Sequence, residues 1–522
     1  MSPLLPSPAE HFGELLHDVQ LRRLFPDGKH FVDMEPRQDP VKIMSAYRSL
    51  QSLDDAALAA FVSQHFDPPL GLSTPVRQVG PQQTLLEHIR VTWDHLVRQP
   101  LKVSPYSSAL SLHAPFLVPG GRFRESYYWD SFFTMLGLRA DGREDLLEAT
   151  IENCTSLIER FGFVPNGSRT YYMGRSQPPV YYLMLDLSRM NCQATRKRRL
   201  DALLKEHDFW MTDAQALHPG DASHRVVCMP SGSILNRHWD ESARPRDESY
   251  AEDVMTAQHS ACDPVHLYRN LRAAAESGWD FSSRWFGDNT GLSSTRTVSM
   301  VPIDLNCLLV GLEQSIARRA RQLGAYDIAL RFEGFAKNRS NALQVYCWSE
   351  REQRFGDCLW SNGEMTSSVN AAALFPLFTG VASAEQANAM AVLVSSSLLA
   401  PGGIRSTTLQ SGEQWDMPNG WAPLQWIATI GLRNYGHVDL ARAIAQRWVS
   451  TVRRDYEDFG LLFEKYDVEH QTPGRGGEYP VQTGFGWTNG VTRALLDEVE
   501  VTAATANTGV ESPEHSKAQE EI

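Results

Sequence analysis

The sequence has no CxxC pair, and its seven cysteines (Cys154, Cys192, Cys228, Cys262, Cys307, Cys347 and Cys358) stand singly and in odd number. A disulfide framework and a zinc knuckle are thereby excluded, and free thiols in a reducing compartment are expected. There is no basic stripe. With 49 Lys and Arg against 62 Asp and Glu, the chain carries a formal charge of −13 and repels phosphate backbones, so nucleic acid is not an expected partner. There is no long apolar run either. The longest uncharged stretch, Met365 to Ala384, is broken by Ser, Thr, Asn, Pro376 and Gly380, which makes it a poor membrane span. The start MSPLLPSPAEHF lacks a basic segment followed by an apolar one. A cytoplasmic protein is expected, with the periplasm as the alternative if a leader was removed. HExxH, an EF-hand loop, a GK[ST] phosphate loop and a GxSxG elbow are all missing, so no metal or other cofactor is expected.

What is present is helical periodicity and aromatic material, including 13 tryptophans. Apolar residues recur three and four apart over 146–162, 180–190, 198–211, 302–324, 326–348, 384–399, 423–436 and 438–460. These helices come in pairs joined by longer loops. Helix pairs that close on themselves would bury the inner helices and gather the loops at one mouth. Residues 1–75 read as an N-terminal cover, with helical patterns interrupted by the irregular FPDGKHFVDMEP. Residues 76–500 read as the main body of helix pairs, and 501–522, which has almost no large apolar residue, as a disordered tail.

The loops hold the chemistry. PGGRFRESYYWDSFF (119–133) mixes Arg122, Phe123, Glu125, Trp129 and Asp130 with further aromatics. Aromatic faces fit the C–H faces of a sugar ring, while carboxylates and guanidinium forks fit its hydroxyls. A charged helix start would look much the same. PNGSRTYYMGRSQPP (165–179), RPRDESYAED (244–253), ESGWDFSSRWF (276–286) and QWDMPNGWAPLQW (414–426) share this character. Asp280, between Trp279 and Phe281 and close to Gly278, has the surroundings of a desolvated general acid. It could equally be a helix cap or the partner of Arg284. Glu464 in LLFEKY could be a general base, or an exposed helix-end charge facing Lys465 or Arg475. Two carboxyl groups from distant loops are what glycoside hydrolysis requires.

Taken together, these segments resemble trehalases of glycoside hydrolase family 37. The family signature PGGRFxExYxWDxY is met by residues 119–132 except that Phe132 replaces tyrosine, and QWDxPxGWAP is met throughout by 414–423. The similarity runs from about Phe25 to about Leu495. It implies an all-α (α/α)6 toroid and inverting hydrolysis of α,α-trehalose to two glucoses. Carried over by motif, Asp280 is the acid and Glu464 the base. Arg122, Phe123, Trp129, Asp130, Asn166, Arg175, Ser176, Gln177, Arg246, Asp247, Glu248, Gly278 and Glu478 are the substrate-binding positions. The glycine-rich loop before Glu478 departs from the family's unbroken glycine run: it reads GRGG, with Arg475 inserted.

Inversion needs the two carboxyl groups roughly 6.5–9.5 Å apart, with room for a water. Arg122, Arg175 and Arg246 are expected to add positive potential that keeps Glu464 ionised while Asp280 stays protonated. The expected partner is a small disaccharide, bound by a monomer. The competing readings are a glucoamylase-like α-glucan hydrolase, a phosphorylase, and a trehalose-binding sensor without turnover.

Overall fold

Residue spacing decides which helices are lined on one side and which on all sides. The computed structural model describes residues 5–51, 54–69, 83–100, 103–287 and 291–508. Four short N-terminal helices come first: α1 (Pro8–Leu21), α2 (Gly28–Val32), α3 (Pro40–Arg48) and α4 (Asp55–His65). After them come α5 (Leu85–Leu96), α6 (Tyr128–Ala140), α7 (Glu144–Phe161), α8 (Tyr181–Leu187), α9 (Gln193–Trp210), α10 (Tyr250–Gln258) and α11 (Pro264–Glu276). The second half holds α12 (Ile303–Gln322), α13 (Tyr326–Tyr346), α14 (Phe375–Phe378), α15 (Ala384–Leu393), α16 (Ala422–Asn434), α17 (Val438–Phe459) and α18 (Gly486–Thr508).

An inner ring closes on itself: α6 packs on α8, α8 on α12, α12 on α14, α14 on α16, α16 on α18, and α18 back on α6. Between these in the chain lie α7, α9, α13, α15 and α17, and α5 precedes the first inner helix. They form the outer layer. The α12–α13 pair shows the difference. Leu305, Leu308, Leu309, Leu312 and Ile316 bury α12 on several sides, whereas α13 buries one stripe built on Ala329, Phe332, Ala336 and Leu343. In α17 the stripe is Ala441, Ile444, Ala445, Trp448, Val449 and Val452, at helical spacing. This is the (α/α)6 toroid expected from the sequence. No helix among the described residues is long and apolar enough to cross a membrane.

Connection length positions the site. Passing from an inner helix to the next outer one, the chain uses only 141–143, 188–192, 323–325, 379–383 and 435–437. Passing from outer to inner it uses 97–127, 162–180, 211–302, 347–374, 394–421 and 460–485. Every segment singled out by its chemistry lies in that second set or in the first turn of the inner helix it feeds. The antiparallel pairing of inner and outer helices puts all six long connections at one end of the ring.

The N-terminal helices have their own apolar cluster, including Phe12, Leu15, Leu16, Phe31, Ile43, Leu58 and Phe61. It seats on Tyr127, Tyr171 and Tyr172 of the mouth loops. FPDGKHFVDMEP, read as irregular, contains α2. The proposed boundary at residue 75 lies outside the described residues. Helix α18 runs to Thr508, past residue 501 where the tail was expected to begin, and 509–522 lie outside the described residues.

Candidate active site

The long connections surround a pocket of about 80 Å³. It is lined by Arg122 and Phe123 from the loop before α6, by Trp129 and Asp130 from its first turn, and by Asn166, Arg175 and Gln177 from the loop before α8. Arg246, Glu248, Gly278 and Asp280 come from the long 211–302 connection, and Glu464 and Glu478 from the loop before α18. Both predicted catalytic carboxyl groups therefore line one cavity.

Asp280 sits in the loop after α11, beyond a bend at Gly278. The bend demands glycine. Its φ is +76°, and a Cβ there would lie 3.0 Å from the Trp129 indole. Burial pushes the Asp280 carboxyl up to about 7, against the nearby charge of Arg246. It is not paired with Arg284, one of the two alternatives left open by spacing. Both Arg284 forks are occupied, by Asp304 at 2.7 Å and by Asp357 at 2.8 Å. The second signature holds the acid's loop residue by residue. Gln414 Nε2 donates to the Asp280 carbonyl, the Trp415 amide donates to Phe281 O at 3.0 Å, and Asp416 accepts from Ser282 Oγ at 2.8 Å.

Glu464 is 1% exposed and does not cap a helix end. Its amide donates to Gln482 O at 2.9 Å, and its carbonyl accepts from Trp487 Nε1 at 3.0 Å. The Tyr479 hydroxyl donates to Oε1 at 2.8 Å. Oε2 is buried and accepts no hydrogen bond from the described residues. Asp130, in the same pocket, has its carboxyl pushed well above the usual range by burial and by the charges of Glu464 and Asp280.

The three arginines differ from expectation. Each is matched to carboxylates: Arg122 to Asp27 at 2.5 Å, Arg175 to Asp240 and Glu248 at 3.1 and 2.7 Å, and Arg246 to Asp253 and Glu478 at 2.6 and 2.7 Å. Each is thus paired in place. They act instead as rigid frames. Arg175 also donates to Asn166 Oδ1 at 2.8 Å, fixing two pocket walls together.

Two predicted binding residues do not line the pocket. Ser176 turns its hydroxyl to Val164 O at 2.7 Å and gives its amide to Glu276 at 3.0 Å. Asp247 accepts from the Ala9 amide of α1 at 2.8 Å. It lies on the tight turn Asp247–Ser249, where neighbouring side chains diverge, so Arg246 and Glu248 point in and Asp247 points to the N-terminal cover. Phe132 is buried beside Phe133, away from the pocket. Arg475 is exposed, and its backbone is held by Asn419 at 2.7 and 3.3 Å.

Several lining residues escaped sequence reasoning: Tyr479, Gln414, Trp415, Trp421, Phe485, Trp487 and Lys29. Trp415 and Trp421 stack at 4.1 Å, with Trp487 edge-on to Trp421 at 5.5 Å. Their signal was present. Gln414 and both stacked tryptophans lie inside the second signature, Tyr479 adjoins Glu478, and Lys29 lies in FPDGKHF.

The Trehalase family model matches residues 23–500. This chain belongs to the trehalase family. It is a glycoside hydrolase by that membership. Among solved structures, neutral trehalase Nth1 from Saccharomyces cerevisiae is similar at 26% identity and a TM-score of 0.62, with 82% of each chain covered. The GH63 mannosylglycerate hydrolase from Thermus thermophilus, in complex with glucose, shares the fold at 17% identity and a TM-score of 0.51, over 73% of this chain and 95% of the other.

Proposed function

We propose that this chain is an inverting α,α-trehalase in which Asp280 is the general acid and Glu464 the general base. The observation that carries the reading is that these two carboxyl groups, from separate connections, line one pocket, with Asp280 held as an acid to about pH 7. Asp280 protonates the oxygen joining the two glucoses as its bond to the attacked anomeric carbon breaks. Water adds to that carbon from the opposite face and gives its proton to Glu464, whose Oε2 accepts no hydrogen bond from the described residues. Asp280 ends ionised and Glu464 protonated, and both reset through solvent. The attacked carbon becomes β-glucose and the released half stays α. Trp129 and Phe123 supply ring faces. Asp130, Gln177, the three framed arginines, Glu248 and Glu478 supply partners for hydroxyls. The pocket is complete within one chain, which supports a monomer acting on a free disaccharide, and all seven thiols are free, which supports the cytoplasm.

The test is purified protein offered trehalose, maltose and starch without phosphate, with early product read by proton NMR. Glucose from trehalose in equal α and β amounts is expected. Turnover of starch or maltose instead, a requirement for phosphate, or α-glucose alone would each overturn the reading. Asp280→Asn and Glu464→Gln are expected to lower kcat by at least about a thousandfold with the fold intact. Activity near wild type in either removes that residue from its role.

A further inference from the structure

Three carboxyl groups, Asp130, Asp280 and Glu464, share the pocket, and the charges of the other two add to burial in holding the Asp130 carboxyl up. The surrounding arginines are matched to other carboxylates. Lys465, next in the chain to Glu464, stands differently. Its side chain is 0% exposed, and its ammonium lies 3.6 Å from Glu464 Oε2. The same ammonium donates to Gln414 Oε1 at 2.7 Å and lies over the rings of Trp421 at 5.1 Å and Tyr479 at 5.5 Å. Gln414 in turn donates to the Asp280 carbonyl. The glycine-rich loop rests on the lysine as well. The Gly474 amide donates to Lys465 O at 2.9 Å, and a Cβ at residue 474 would meet Lys465 Cγ at 2.6 Å.

We propose that Lys465 is a positioning residue that keeps Glu464 charged and, through Gln414, ties it to the backbone of Asp280. This rests on the reading of Glu464 as the base. A lone ammonium beside a carboxylate in a dry site favours the ionised form, which is the form that accepts the proton of water. The other groups facing Glu464 are Asp130 from α6, Asp280 from the loop after α11, and the Tyr479 hydroxyl, across whose ring Arg122 lies at 4.6 Å. Glu478 faces Asp280 and is held by Arg246. Of these, Lys465 alone contacts Glu464 as a cation. Its position between two aromatic rings keeps it there.

The experiment is the pH profile of kcat/KM for trehalose. In Lys465→Met the acidic limb is expected to move up by about one pH unit or more. The basic limb moves less, because Asp280 acts on the ammonium more weakly than Glu464 does. Lys465→Gln, which keeps a polar end without the charge, is expected to shift the limb the same way, and Lys465→Arg to leave it in place. An acidic limb unmoved in a folded Lys465→Met or Lys465→Gln protein overturns the proposal. So does activity lost equally at every pH in the methionine, glutamine and arginine variants. Failure of both uncharged variants to fold, while Lys465→Arg folds, would make Lys465 structural and also overturn it. Normal turnover in Glu464→Gln would sink the base assignment itself, whatever Lys465 does.

Discussion

The Ser283 amide donates to the Asp416 carboxylate at 2.7 Å. Asp416 also takes the hydroxyls of Ser282 and Thr407 at 2.8 and 2.9 Å, and that of Ser411. It is the hub that fixes the turn leaving Asp280. Asp416→Ala leaves buried donors without an acceptor, and a loss of about 3 kcal/mol is expected in urea unfolding. Because the acid's loop loses its anchor, kcat is expected to fall about a hundredfold with a smaller change in KM. Full kcat in a folded variant would show that the acid finds its place without this hub.

Asp280 sets the alkaline side of the activity profile. Burial raises its carboxyl to about 7, so it holds its proton below that pH and loses it above. A general acid works only when protonated. Trehalose turnover is therefore expected to fall as pH rises through about 7. Replacing Arg246 by Met removes a charge that favours ionised Asp280, so the fall should move to higher pH. A basic limb that stays put would mean that another group controls it.

One of the contacts between the N-terminal cover and the pocket is the pair of Asp27 with Arg122. Asp27 caps α2 and grips Arg122 with both oxygens, at 2.5 and 3.2 Å. Asp27→Ala leaves Arg122 unanchored at the pocket wall. KM is expected to rise about tenfold, equivalent to about 1.4 kcal/mol of binding, with kcat changed far less. Steady-state kinetics on trehalose decide this. An unchanged KM would confine Asp27 to helix capping.

Glu206 is not among the residues lining the pocket and costs stability at neutral pH. It is 0% exposed, and burial raises its carboxyl to about 7, against the hydrogen bond from the Tyr128 hydroxyl. The folded state therefore holds a proton that the unfolded state has lost between about pH 4.5 and 7, and stability falls as pH rises through that window. Glu206→Gln keeps an acceptor for Tyr128 and carries no charge. At pH 8 it is expected to be more stable than wild type by about 3 kcal/mol, and at pH 4 nearly equal. Urea unfolding at the two pH values checks this. Equal stability at both would show that Glu206 finds a partner when ionised.

Where the sequence was legible, one face of a helix met solvent. The stripe read over 438–460 is α17, Val438–Phe459, and that over 326–348 is α13. Inner helices weaken the signal. Helix α6 is buried nearly all round and lies inside the aromatic run that reads as a cleft wall, while α14 spans only Phe375–Phe378. Helix α5 was readable and passed over: Leu85, Ile89, Trp93 and Leu96 share a face behind a Thr84–Glu87 capping box. At the site, motif and spacing brought the carboxyl groups and arginines to the pocket. Periodicity could not show that Asp247 turns outward on its tight turn, or that Arg122 meets Asp27, Arg175 meets Asp240 and Arg246 meets Glu478, since such pairings join segments far apart in the chain.

The five inner-to-outer links, at the end opposite the pocket, are each only three to five residues long. A fused partner, an affinity handle or a surface tether inserted at 323–325 or 435–437 would stand a full helix length from the sugar. Immobilised preparations attached there should keep their turnover, whereas attachment on the rim would obstruct entry.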